Sequence, residues 1–443
     1  MVKGFRNIAG AVALSTLALG ATPAVAATDI VWWHAMEGSL GDKINEIAEG
    51  FNQSQSDYVV KPVYKGTYSE NMTSTIAAFR AGNAPAITQV YEVGTATMMN
   101  AREAIYPVYQ LMADTDQPFA PAAYLPAITG YYSTTNGDML SLPFNSSTPV
   151  VYYNRDLFKK AGLDPDTPPT TWEEVAQAGQ KIVGSGAASC GFTTTWPSWI
   201  QLENFAARHD IPFASKQNGF GGPSARLEFN DSDAVVEHVQ DLVDWQQSGV
   251  FNYGGREDQA TPRFFSGQCA MLMASSASYA SVRDNTRNFD FGVAPLPWGP
   301  DVIETPQNSI IGGASLWVLK RQSDDVYEGV ARFFNHLSSP EVQADWHQFT
   351  GYLPITQKAY ELTREQGFYD NNPGTEVALK QMTTGTPTDN SRGLRLGTMP
   401  QIRDVIEEEL ERALNGDKSV QQALDDAATR GNALLEQFER SVR

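Results

Sequence analysis

Residues 29–100 alternate short apolar strands with amphipathic helices, and this order limits the folds open to the chain. Apolar runs predict strands at 29–34, 58–64 and 86–91. Between these strands apolar residues recur at helical spacing, at Ile44, Ile47, Phe51, Met72, Ile76 and Phe79. Because a strand, helix, strand order favours parallel strands, we predict a sheet flanked by helices, with ligands beyond the carboxyl ends of its strands.

The remaining sequence continues this pattern and is long enough for a second lobe. Further strands are predicted at 150–153, 289–295 and 310–319, and helices at 156–161, 327–337 and 401–443, the last with a break near 415–416. Thr171 and Glu174 fit a capping box at the start of another helix. A chain of 443 residues usually folds into two or three domains. We therefore predict an α/β protein of two lobes, each a mostly parallel sheet flanked by helices, joined by several short crossovers.

The amino terminus has the composition of an export signal. Lys3 and Arg6 precede an apolar run over 8–21, which is too short to span a bilayer, and small residues follow at 24–26. We expect residues 1–26 to be a signal peptide, cleaved after Ala26 or Ala27. No cysteine stands directly after the cleavage site, and no later apolar run is long enough to cross a membrane. The expected mature protein is soluble and periplasmic, without a lipid anchor or membrane insertion.

The chain contains two cysteines, Cys190 and Cys269. In an oxidising compartment an even number suggests a disulfide, but cysteines whose Cα atoms lie more than about 7 Å apart cannot pair. The sequence leaves a disulfide and two buried thiols equally open. Neither cysteine has a second cysteine or a histidine at ligand spacing, so we expect no metal site here.

Charge and motif content argue against several functions. The 51 acidic and 32 basic residues give a net charge of −19, which disfavours a nucleic acid or an anionic membrane as partner but leaves room for a small anion bound by one buried arginine. The five histidines form no metal-binding pair, and the sequence has no nucleophile elbow and no phosphate-binding loop. The glycine-rich segment 219–223 fits a surface turn better than a dinucleotide fingerprint. We expect no catalytic residue, metal or cofactor, although paired carboxylates for glycoside hydrolysis stay open.

Tryptophans and hydroxyl-rich segments are the remaining candidates for ligand contacts. The nine tryptophans could stack on a ligand, but most such residues pack in a core. Residues 143–148, 274–276 and 311–315 combine hydroxyl groups with small residues at predicted strand ends or crossovers. Amides and hydroxyls of this kind surround anions in many proteins, though serine and glycine are also ordinary turn residues.

Several strings, in order over nearly the whole mature chain, resemble the sn-glycerol-3-phosphate-binding periplasmic proteins of ABC importers. They are residues 33–38, 91–99, 143–150, 199–205, 310–318, 346–356 and 392–403. This family is distantly similar to maltose-binding protein. The resemblance implies a non-catalytic receptor, expected to be a monomer, whose two lobes close on a small phosphate ester and deliver it to membrane permease subunits with their ATPase.

The resemblance also implies lobe boundaries and ligand contacts. We expect an amino-terminal lobe of residues 27–145 and 290–340, and a carboxy-terminal lobe of residues 146–289 and 341–443. The family's ligand-binding residues fall on Tyr68, Glu92, Ser147, Ser275, Gly313, Tyr352 and Arg403.

Two of these residues are charged and receive opposite roles. The resemblance implies that Arg403 grips the phosphate with its planar fork of donors. Glu92, when ionised, would accept hydrogen bonds from the glycerol hydroxyls across the cleft and repel the phosphate. Without the resemblance, Arg403 would be interpreted as a surface partner of Glu407, four residues further along a helix.

The other five residues are neutral. Ser147 and Ser275 would donate hydroxyls to phosphate oxygens, and the backbone of Gly313 would approach closely because no Cβ intervenes. Tyr68 and Tyr352 would cover the glycerol carbons. The leading hypothesis is a receptor for sn-glycerol-3-phosphate, with glycerophosphodiesters as further ligands. A sugar receptor on the same scaffold and a periplasmic phosphate-ester hydrolase are the alternatives.

Overall fold

The computed structural model describes Met1 and residues 26–443, so most of the predicted signal peptide lies outside the described residues. In the described part of the chain, ten strands form two sheets. The strands are β1 (Thr28–His34), β2 (Tyr58–Tyr64), β3 (Ile87–Tyr91), β4 (Ile105–Tyr106), β5 (Leu142–Ser147), β6 (Pro149–Asn154), β7 (Cys190–Thr194), β8 (Cys269–Ser275), β9 (Phe291–Pro295) and β10 (Gly312–Leu319).

The first sheet has the order β2-β1-β3-β10-β4, with β5 paired to β10, and the second has the order β7-β8-β6-β9. In the first sheet β10 is antiparallel to β3, β4 and β5, whereas β1 is parallel to both β2 and β3. In the second sheet β6 is antiparallel to β8 and β9, whereas β7 is parallel to β8. All strands of each sheet therefore run one way except β10 and β6, which confirms the predicted fold class.

Helices cover both sheets. Those between β1 and β5 are Gly38–Ser54, Tyr68–Ala81, Thr95–Asn100, Val108–Asp114 and Pro126–Tyr132. Those between β6 and β9 are Arg155–Lys160, Trp172–Gly184, Asn204–Arg208, Asp233–Ser248, Thr261–Phe265 and Tyr279–Asn285. Those after β10 are Asp324–Leu337, Pro340–Thr350, Gln357–Glu365, Phe368–Asn371, Val377–Met382, Met399–Leu414 and Val420–Val442. Among residues 26–443, no helix combines the length and the apolar character needed to cross a bilayer.

Most predicted elements are present, and the capping box at Thr171 and Glu174 forms as expected. The strands β4, β5, β7 and β8 were not predicted. The β8 sequence consists of Cys, Ala, Met, Leu and Ser, and lacks the β-branched and aromatic residues that identify strands, while β7 contains Gly191. Tertiary packing overrides these weak local preferences, because β8 lies in the middle of the second sheet and most of it is fully buried.

The chain passes between the sheets through very short connections. Only Thr148 separates β5 of the first sheet from β6 of the second. The hydroxyl groups of Thr148 and Ser309 are hydrogen-bonded, which ties this crossing to the segment that leads into β10. The predicted lobe boundaries stay a prediction. They assign residues 291–295 to the amino-terminal lobe, whereas β9, which these residues form, pairs with β6 in the second sheet. The return crossing therefore falls between β9 and β10, because backbone hydrogen bonding fixes the sheet to which β9 belongs.

The structure settles the question that the sequence left open at the two cysteines. Cys190 and Cys269 are directly opposite each other on the parallel strands β7 and β8, with a Cα–Cα distance of 4.5 Å, and they form a disulfide. The two residues are 79 positions apart in the chain. The bond therefore closes a long loop and restricts the unfolded chain strongly.

Reduction of this disulfide should lower the free energy of unfolding by about 4 kcal/mol, the loop-closure value for a loop of this length. Urea titrations followed by tryptophan fluorescence, with and without a thiol-free reductant, measure the change. The double variant Cys190→Ala, Cys269→Ala is the control, and reductant should not alter its midpoint. An unchanged midpoint for the wild type under full reduction would contradict the expectation.

Candidate functional site

All seven predicted ligand-binding residues line one cleft of about 520 Å³. They come from distant parts of the sequence: Tyr68, Glu92, Ser147, Ser275, Gly313, Tyr352 and Arg403. The carboxyl ends of β3, β5 and β8 and the amino end of β10 meet at this cleft, so strands of both sheets and the crossovers between them border it. The structure thus brings together residues that sequence spacing does not connect.

The crossover wall is built from small residues for a steric reason. Gly312 pairs with Ser147, and Gly313 has a φ of +87°, in the left-handed region. A Cβ on Gly313 would lie 1.8 Å from the carbonyl oxygen of Asn145, and a Cβ on Gly312 would lie 2.3 Å from the indole of Trp199. Glycine is therefore required at both positions, and the backbone of β10 lies bare against the cleft.

Two serine hydroxyl groups, of Ser147 and Ser275, also line the cleft. Ser147 ends β5, and its hydroxyl makes no hydrogen bond within the described residues. Ser275 ends β8, and its Oγ accepts a hydrogen bond of 3.1 Å from the amide of Ala277. Because that oxygen acts as acceptor, its proton is free to be donated to a ligand in the cleft.

Aromatic stacking holds the two tyrosines in place. Tyr68 begins a helix and stacks flat on Tyr91, with ring centroids 5.2 Å apart, and its hydroxyl accepts a hydrogen bond of 2.9 Å from Asn145. Tyr352 stacks on Trp346 at 5.6 Å. Burial raises the pKa of Tyr68 well above its ordinary value and that of Tyr352 to about 12, so both phenols stay protonated donors at neutral pH.

Arg403 is the most heavily bonded residue of the site. Its Nε and Nη2 donate to the two carboxylate oxygens of Glu203, each at 2.7 Å, and Nη2 also donates to Oε1 of Glu92 at 2.7 Å. The side chains of these three residues are at most 7% exposed. We call them the Arg403 cluster. Nη1 makes no hydrogen bond within the described residues, so it is the part of the guanidinium left for a ligand.

Burial and charge act against each other in this cluster. Burial raises the pKa of Glu92, and the Arg403 guanidinium opposes that rise. Burial by itself would lower the pKa of Arg403, but the carboxylates of Glu203 and Glu92 raise it well above its ordinary value. Arg403 is therefore permanently charged, and with both acids ionised the cluster carries more negative than positive charge.

This geometry corrects the roles expected for the two charged residues. Arg403 was expected to present a free fork to phosphate, with Glu92 on the opposite side of the cleft. In the structure they are in direct contact at 2.7 Å, and Glu203 occupies the bidentate edge of the guanidinium. The alternative interpretation also fails, because Glu407 makes no ion pair with Arg403 and lies 4.0 Å from Arg256 instead. Arg403 compensates buried carboxylates before it meets any ligand.

Sequence analysis missed Glu203 and Asp258, and it named Trp196 and Trp199 only among the nine tryptophans that could stack on a ligand. Glu203 ends a π-helical segment, Ser198–Glu203, where Ser198 also donates to it at 3.0 Å. Trp196 and Trp199 line the cleft, and the Trp196 indole donates to Asp258 at 3.2 Å. Trp199 and Glu203 do fall within the string 199–205, which carried the resemblance but gave Glu203 no role.

Removing Arg403 should destabilise the protein more than removing Glu203. Arg403→Met leaves two buried carboxylates without a cation and should cost about 3–5 kcal/mol of unfolding free energy. Glu203→Gln leaves the Arg403 and Glu92 pair intact and should cost less. Urea unfolding measures both, with Glu237→Gln on an exposed helical position as the matched control. Equal losses for Arg403→Met and Glu237→Gln would contradict the structural role given to the cluster.

Among the described residues, no group of three or more His, Cys, Asp or Glu side chains is arranged to hold a metal ion.

Comparison with known proteins places the chain in a family. The model of the bacterial extracellular solute-binding proteins matches residues 46–376. The sn-glycerol-3-phosphate-binding periplasmic protein UgpB of Yersinia enterocolitica is 52% identical over 427 residues, which is 96% of each chain. The protein of the same name from Escherichia coli O6:K15:H31 is 51% identical over 443 residues, all of both chains.

Solved structures share the fold at lower identity. UgpB from Mycobacterium tuberculosis in complex with glycerophosphocholine superposes with a TM-score of 0.79 at 22% identity, covering 93% of this chain and 99% of that one. Maltose-bound MalE3 of T. maritima superposes with a TM-score of 0.75 at 19% identity, covering 92% and 100%. The two-lobed fold, the resemblance noted in the sequence and the periplasmic location are thereby confirmed. The chain belongs to the bacterial extracellular solute-binding proteins.

Proposed function

We propose that this protein binds sn-glycerol-3-phosphate in the cleft and delivers it to the permease of an ABC importer, without catalysing a reaction on it. The observation that carries the proposal is the convergence of all seven predicted residues on one cleft. Relatives of 51–52% identity, named for binding this phosphate ester, support the choice of ligand.

The charges in the cleft indicate which end receives the phosphate. Glu92 and Glu203 outnumber the single cation Arg403, so a phosphate placed on the Arg403 cluster would meet net negative charge. Ser147 and Ser275 line the same cleft outside the Arg403 cluster, and Ser147 pairs with Gly312, the neighbour of Gly313. Hydroxyl and backbone donors bind phosphate without an opposing charge, so the phosphate belongs there.

The glycerol end then lies on the Arg403 cluster. The two neighbouring hydroxyl groups of the glycerol can each donate and accept a hydrogen bond. The Glu92 carboxylate accepts from such a pair, and Nη1 of Arg403 donates to it. Tyr68, half-buried, and Tyr352, buried, cover the carbon chain between the two ends. A ligand is thereby held in one orientation, and a phosphate without the alcohol loses half of its contacts.

Titration calorimetry should show saturable binding of sn-glycerol-3-phosphate and far weaker binding of glycerol, inorganic phosphate and maltose. Ser147→Ala should raise the dissociation constant for sn-glycerol-3-phosphate about tenfold or more, because a hydrogen bond to a charged group contributes about 1.5–3 kcal/mol. Ser248→Ala, at the exposed end of a helix, is the control and should leave binding unchanged. Saturable heat only with maltose would favour a sugar receptor, and release of inorganic phosphate from the ester would favour a hydrolase.

A second candidate ligand follows from the acidic lining of the cleft. Besides Glu92, the carboxylates of Glu37, Asp258 and Asp284 line it, and Arg403 is the one cation among the lining residues of the described chain. A phosphodiester whose second alcohol carries a positive charge would meet these acids favourably. Trp196, bonded to Asp258, offers an aromatic face to the same cation. We therefore propose zwitterionic glycerophosphodiesters as additional ligands.

Asp258→Asn should weaken binding of glycerophosphocholine and leave that of sn-glycerol-3-phosphate unchanged or stronger, because only glycerophosphocholine carries a cation. Burial raises the pKa of Asp258, so the comparison is made at a pH well above neutral, where the carboxylate is ionised. Glycerophosphoglycerol, an uncharged-alcohol diester, is the control ligand. Equal weakening of all three ligands would show that Asp258 acts on the fold and would contradict its role towards the cation.

A further inference from the structure

A second groove, of about 640 Å³, lies next to the crossover that borders the ligand cleft. Residues 308–311 line this groove, and the next two residues, Gly312 and Gly313, line the cleft. The helix Pro126–Tyr132 and the segment around Phe220 form other parts of its wall. The groove is therefore separate from the proposed ligand site but is built on the same crossing of the chain.

Arg395 contributes a positive charge that no acid neutralises. Its Nη2 donates to the carbonyl oxygens of Gly130, Tyr131 and Ser133 at 2.6–2.7 Å, and its Nε donates to Tyr131 at 3.2 Å. These carbonyls end the helix Pro126–Tyr132 and carry no formal charge. Among the described residues, no carboxylate lies within ion-pair distance of Arg395. Burial lowers the pKa of Arg395 to about 10, which still leaves it charged at neutral pH.

Arg392 adds a second guanidinium on the same aromatic ring. The guanidinium carbons of Arg392 and Arg395 lie 4.2 and 4.3 Å from the centroid of Phe220. Arg392 donates to Gln217 at 2.9 Å and lies 3.4 Å from the exposed Asp389. Its Nε is buried and has no hydrogen-bond partner within the described chain. An unpaired buried donor of this kind costs free energy unless something binds it.

Residues 392–395, which carry the two arginines, pack closely against the loop of residues 216–220. Residues 216–218 have φ values of 54–58°, the left-handed region that non-glycine residues avoid. Gly219 follows, and a Cβ there would lie 2.3 Å from the carbonyl oxygen of Arg395. The amide of Arg395 donates to the carbonyl of Asn218 at 2.8 Å. This close packing fixes Phe220 and the two arginines in one arrangement.

The groove differs in charge from the rest of the molecule. No aspartate or glutamate is among its lining residues, although the chain has 51 acidic against 32 basic residues. The groove is also lined by residues that carry hydroxyl groups, Thr129, Ser133, Thr134, Ser309 and Ser391. We infer that this groove binds a small tetrahedral oxyanion, of the class of inorganic phosphate and sulfate, between Arg392 and Arg395. Guanidinium N–H groups and hydroxyls are the donors that such anions prefer.

Sulfate and inorganic phosphate, titrated into ligand-free protein at constant ionic strength, test this inference. Both anions should bind saturably and raise the melting temperature. Arg392→Gln should raise the dissociation constant for sulfate about tenfold or more. Arg287→Gln, the same charge change at an exposed position, and Ser147→Ala, in the ligand cleft, should leave it unchanged.

A second variant supports the test without removing an arginine. Gln217→Glu puts a carboxylate beside Nη2 of Arg392, at an exposed position, and should weaken sulfate binding about tenfold or more, because it pairs with one of the two guanidinium groups. Binding of sn-glycerol-3-phosphate to both variants reports whether they are folded and keeps this inference distinct from the proposed function. Absence of saturable sulfate binding, equal effects of Arg392→Gln and Arg287→Gln, or loss of sulfate binding in Ser147→Ala would each overturn the inference.

Discussion

The contact of Arg403 with Glu92 and Glu203 is the interaction on which the cleft depends. Glu92 follows β3 of the first sheet, Glu203 ends a π-helical segment, and Arg403 lies in the helix Met399–Leu414. Each of the three charged groups is buried. Transfer of a charged group from water into the protein interior costs several kcal/mol of free energy unless hydrogen bonds and opposite charges compensate it. The three residues therefore stabilise one another, and by doing so they hold three distant segments in one place.

The cluster also bears on how an acidic protein would bind the acidic ligand proposed for it. Arg403 is committed to two carboxylates, so it presents little net positive charge to the cleft. In the proposed function, phosphate recognition falls to neutral donors along the crossover, where glycine lets the backbone come close. A site of this kind discriminates by geometry and by hydrogen bonding at both ends of the ligand, more than by attraction of any anion.

The two cavities beside the crossover have opposite electrostatic character. The cleft is lined by four carboxylates and one compensated arginine, whereas the groove is lined by two arginines and no carboxylate. Both border the segment that leads into β10. The net charge of −19 gave no indication of this division, because a total says nothing about where charges gather.

The sequence alone determined the α/β class, six of the ten described strands and several helices, and the family resemblance named the seven residues that line the cleft. Apolar periodicity fixes which face of an element is buried, and ordered strings identify the family. It did not determine β4, β5, β7 and β8, whether Cys190 and Cys269 form a disulfide, or the role of Arg403. These depend on contacts between residues far apart in the chain: 79 positions for the disulfide and 200 for Arg403 with Glu203. Local preferences carry no record of such distances, and only the packing of the two sheets decided which charges and sulfurs meet.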